Sequence, residues 1–209
     1  MPQKRLRFIQ ICAWAALCVI VTSCCNYRER RKGVVVTTSL LDVAARDLLN
    51  GGDVEISVLL PPGSCPGHFD LSPATLPLVR SASLVVRHDY QEALDEKLRA
   101  LGSEHLHIHV IVVHGSLLIP DNYIRMVRGL VPALVQAFPG EKACIDRNLA
   151  KVEQDTVKLR GEMAGQDYPW QGAAVIASAH QKDFAQWLGL TVIDVIKRPE
   201  ELTPADYER

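Results

Sequence analysis

Two of the seven histidines stand in segments shaped to hold them. His68 lies in the run Pro61-Pro62-Gly63-Ser64-Cys65-Pro66-Gly67-His68-Phe69-Asp70-Leu71-Ser72-Pro73. Its prolines and glycines fix the loop, so the imidazole has little entropy left to lose on binding. His180 ends Ile176-Ala177-Ser178-Ala179-His180, between a strand-like and a helix-like stretch. In open α/β sheets ligands bind outside the carboxyl ends of the strands, an address both histidines share. Two histidines at equivalent edges of two lobes can face each other across a cleft. Imidazole suits zinc, and also manganese, iron or nickel when carboxylates join it.

The other candidates carry plainer readings beside the chemical one. His180 can simply cap the helix that follows it. His88, ending Arg87-His88-Asp89, is a reserve ligand at the same kind of strand edge. His105, His107 and His109 alternate, so they share one face of a strand at its beginning, away from the ligand edge. An exposed strand face accounts for them. Cys65 can bind a soft metal beside His68 or form a disulfide with Cys144. No His-Glu-x-x-His occurs, and no carboxylate stands at a recognisable general-base spacing.

The N-terminus points out of the cytoplasm. Lys4, Arg5 and Arg7 precede an apolar run over residues 8–21, too short for a comfortable membrane span and ordered like a secretory signal. It ends in Val21-Thr22-Ser23-Cys24, which resembles a bacterial lipobox, so Cys24 is the expected lipidated first residue of the mature chain. Residues 1–23 then form the signal peptide and residues 24–32, polar and basic, a tether. An uncleaved anchor helix is the alternative. Of six cysteines, only Cys65 and Cys144 fall in the folded body, where an oxidising compartment permits their pairing. With 23 Lys+Arg against 24 Asp+Glu, the 209-residue chain has no concentrated basic face of the kind that nucleic acid requires.

An α/β rhythm positions the candidate residues. The spacing predicts strands over residues 34–38, 54–60, 84–86 and 106–113, separated by helices over 39–51, 73–80 and 91–101, with Ser39 as a helix cap. Single helices between strands imply parallel pairing. A helix over 120–138 is expected to bend near Pro132. A longer one over 141–163 carries the stripe Ile145, Leu149, Val152, Thr156, Leu159 and Met163 at three- to four-residue spacing. Strands over 173–177 and 191–196 flank a helix over 180–188.

Taken together, these segments resemble the metal-binding solute-binding proteins of ABC transporters that take up zinc or manganese. The resemblance rests on Val34 to Ser39, on the Pro62 to His68 loop with Pro73, and on Asn148 in the long helix. Ala179-His180-Gln181-Lys182-Asp183-Phe184 and Gly189-Leu190 complete it. That family has a Val/Thr-rich first strand, a Pro-Gly-x-x-Pro-His loop, a long rigid helix between two lobes, and a Ser-His-x-x-Phe segment in the second lobe. The implied fold is a two-lobed α/β solute-binding fold: an N-terminal lobe over 33–138, a linking helix over 139–166, and a partial, truncated second lobe over 167–209. The implied metal ligands are His68 and His180. His114 is the third, displaced by about one position from the family's Asn-Pro-His-x-Trp and lacking its flanking residues. The family's fourth ligand, an acidic residue late in the second lobe, has no counterpart.

The expected function is capture of zinc or manganese outside the cell and delivery to an ABC permease, by a monomer that is lipid-anchored and not an enzyme. An exported zinc hydrolase with an open coordination position is the first alternative. A non-transporting or adhesive remnant with an incomplete lobe is the second.

Overall fold

The computed structural model describes residues 33–60, 71, 73–101, 106–164 and 166–197. The signal peptide, Cys24, the tether, and the loop carrying Cys65 and His68 lie outside the described residues.

Val34-Val35-Val36 is β-branched without interruption, which suits a strand buried on both faces. It forms the centre of β1 (Gly33–Val36). The strand pairs in parallel with β2 (Glu55–Val58) on one side and β3 (Ala82–His88) on the other, and β3 pairs in parallel with β4 (His107–Ile111). The order is therefore β2-β1-β3-β4. Alternation along the strands divides the core in two. Val34, Val36, Leu84 and Val86 face α1 (Ser39–Leu49) and α4 (Pro120–Ala137), with Leu41, Leu48, Val127, Leu130 and Leu134 sealed among them. Val35 and Val85 face the opposite layer, where Val79 of α2 (Leu76–Ser81) and Leu98 of α3 (Asp95–Leu101) are buried.

Local chemistry sets the element ends. Thr38, not Ser39, caps α1: its hydroxyl accepts the Leu41 amide at 3.3 Å. The expected helix over 91–101 opens as a 3-10 segment, Asp89–Leu94, because Gln91 leaves helical geometry at φ −102°, ψ 23°. Its side-chain oxygen turns back to the His88 amide at 3.0 Å. Pro132 lies inside α4, where it withdraws the amide that the Arg128 carbonyl would accept. At Gly129 the helix presses on the sheet, since a Cβ there would stand 3.2 Å from Ile111 Cδ1.

The long helix α5 (Lys142–Ala164) leads to a second parallel sheet of β5 (Ala174–Ser178) and β6 (Thr191–Ile196), joined by α6 (Lys182–Trp187). The predicted stripe is graded. Ile145 is buried completely, Leu149 and Val152 partly, while Leu159 is 44% exposed. Ile176, Ile193 and Ile196 of the second sheet are also exposed. Among the described residues no helix is long and apolar enough to cross a membrane.

Candidate metal-binding site

The C-terminal edge of the first sheet is built from hydrogen-bonded polar groups that are themselves buried. Thr37, Thr38, Arg87, His88 and Gln91 each expose less than a tenth of their surface. The Thr37 hydroxyl donates to Gln91 Oε1 at 2.6 Å, and that oxygen also accepts the His88 amide. His88 Nε2 lies 3.0 Å from Thr38 Oγ1, so the ends of β1 and β3 are tied through side chains. Buried polar groups need such partners. The Tyr90 ring stacks on the His88 imidazole at 5.2 Å. Burial pushes His88 down to about 4, against the opposing influence of the Asp89 carboxylate. The reserve ligand is therefore a sealed, neutral side chain of the sheet edge.

Arg87 stiffens the same edge. Its guanidinium grips the Asp95 carboxylate through Nε and Nη2, the latter at 2.7 Å, while Nη1 donates to the His88 carbonyl at 2.9 Å and the Asp89 carbonyl at 3.3 Å. Asp89 Oδ1 in turn accepts the Tyr90 amide at 3.0 Å and the Val113 amide at 3.3 Å. The chain leaving β4 is thus anchored to β3 immediately before His114. In sequence Arg87 and Asp89 stand only as neighbours of the reserve ligand, and nothing there points to Asp95.

His114 is exposed and carries no fixed contact among the described residues. Gly115 follows at φ +72°, a region that favours glycine, and Asn122 Nδ2 donates to the Ser116 carbonyl at 3.0 Å to fix the turn. Across the seam, His180 is exposed just before α6, where the Ser178 hydroxyl donates to Gln181 Oε1 at 3.1 Å. The two segments meet: a Cβ built on Gly115 would stand 3.4 Å from Asp183 Oδ2. The fold therefore brings the His114 and His180 loops to one seam. Among the described residues no three His, Cys, Asp or Glu side chains converge on one point.

The remaining candidates lie elsewhere. His109 Nε2 donates to the Gly129 carbonyl at 2.8 Å, so it fastens β4 to α4, and His107 is exposed on the same face. Among the described residues Cys144 has no disulfide partner, and its Sγ lies 3.2 Å from the Asn50 carbonyl, near the edge where the strands begin.

Comparison with known proteins supplies the remaining context. A family model described as the zinc-uptake complex component A, periplasmic (ZnuA), matches residues 34–209. Among solved structures the chain is similar to ZnuA, with a TM-score of 0.69 at 16% identity over 85% of this chain and 75% of that one. It is also similar to Zn(II)-bound AdcA from Streptococcus pneumoniae, with a TM-score of 0.63 at 16% identity over 79% of this chain and 39% of that one. A cadmium-bound periplasmic metal-binding protein from Candidatus Liberibacter asiaticus gives 0.64 at 13% identity, covering 85% of this chain and 73% of that one. Identities this low speak to fold, and the shared fold is the expected α/β solute-binding one with its long helix. No curated protein sequence matches significantly.

Proposed function

This chain belongs to the family of the periplasmic zinc-uptake component A, and from that premise we propose that it captures a divalent transition metal, zinc or manganese, and delivers it to an ABC permease. The observation that carries this reading is the seam where the His114 loop meets the His180 segment. His68, His114 and His180 serve as the imidazole ligands, and a fourth donor completes a tetrahedron. The protein binds its cargo and does no chemistry on it. The N-terminal lobe covers residues 33–138, the linking helix 139–166, and the second lobe begins at 167. A lipid on Cys24 holds the monomer at the membrane through the tether over 24–32, and Cys65 with Cys144 is its one candidate disulfide.

Equilibrium dialysis with metal analysis tests the cargo. The full chain should retain zinc or manganese at stoichiometric level, and His68→Ala with His180→Ala should abolish retention. Equal retention by both proteins sinks the proposed site. For the anchor, Cys24→Ser should lose incorporation of labelled fatty acid; labelling that persists would place the lipid elsewhere.

A further inference from the structure

We draw no further inference here: the strongest candidate, the groove between α1, the start of α4 and α5 where the Tyr123–Asp47 pair stands beside Leu117, Leu118 and Leu159, carries nothing because nothing in the structure shows what covers it.

Discussion

Asn148 of the long helix donates its amide to the Leu48 carbonyl at 2.9 Å and reaches the Asn50 carbonyl at the same distance. The last carbonyls of a helix have no partner within it, so α1 is finished by a side chain from a hundred residues away. Glu141 secures the adjoining turn by accepting the Asp53 amide at 3.2 Å. Asn148→Ala should therefore lower stability by about 1–2 kcal/mol, the loss of two hydrogen bonds with their acceptors left half-buried. Urea unfolding should show a lower midpoint at an unchanged slope.

Breaking the Arg87–Asp95 pair should cost more. The two side chains are only 5% and 16% exposed, so removing one leaves an uncompensated charge at the sheet edge. Arg87→Ala and Asp95→Ala should each destabilise by about 3–5 kcal/mol. Replacing both by apolar residues should recover much of that loss. Chemical denaturation of the singles and the double reads the coupling directly.

Acid should loosen the same edge through His88. Its folded value of about 4 lies below the unfolded 6.5, so the unfolded chain binds more protons between the two. The stability is complete above pH 6.5 and is lost as pH falls through 4, by about 3 kcal/mol at ~1.4 kcal/mol per unit. His88→Gln should flatten stability against pH across that window relative to wild type. A curve of unchanged slope would remove His88 as the cause.

Gly115→Ala tests the seam from the other side. The added Cβ meets Asn122 Nδ2 at 3.2 Å in a left-handed backbone, and the strain should cost about 1–2 kcal/mol. Differential scanning calorimetry should show a lowered Tm; an unchanged Tm would mean the turn relaxes freely.

The first sheet was legible because its signal is local. Three consecutive valines followed by a helical stripe leave few alternatives to a doubly covered parallel strand. The cap is ambiguous in sequence because Thr38 and Ser39 are both good caps, and only the backbone decides which one leaves extended geometry. The polar edge was invisible for a different reason. Gln91 reaches Thr37 at the end of another strand, a neighbour not written beside it, and Arg87 meets Asp95 only because the irregular turn at Gln91 folds the start of α3 back onto β3. His88 resembles a ligand in sequence since nothing beside it shows that Tyr90 and Thr38 enclose it. The ligand motifs also shift register. Gly67 separates Pro66 from His68, Ala179 separates Ser178 from His180, and three residues rather than two precede Phe184. Motif matching points to loops, and it does not identify the donor atoms within them.

The long helix is held unequally along its length. Ile145 and Asn148 fasten its beginning, and Arg128 of α4 pairs with Glu153 midway, while beyond Thr156 both Val157 and Leu159 are exposed and the Arg160–Asp121 pair to α4 is itself exposed. It is a beam clamped at one end. Amide hydrogen exchange should be slow over its first half and fast over its last turns. About 12 Å of helix project past Thr156 at 1.5 Å per residue, so a tilt of about 5° there carries the far end by about 1 Å. That is enough to open or close the coordination shell proposed above, whose donors would come from both ends of the beam.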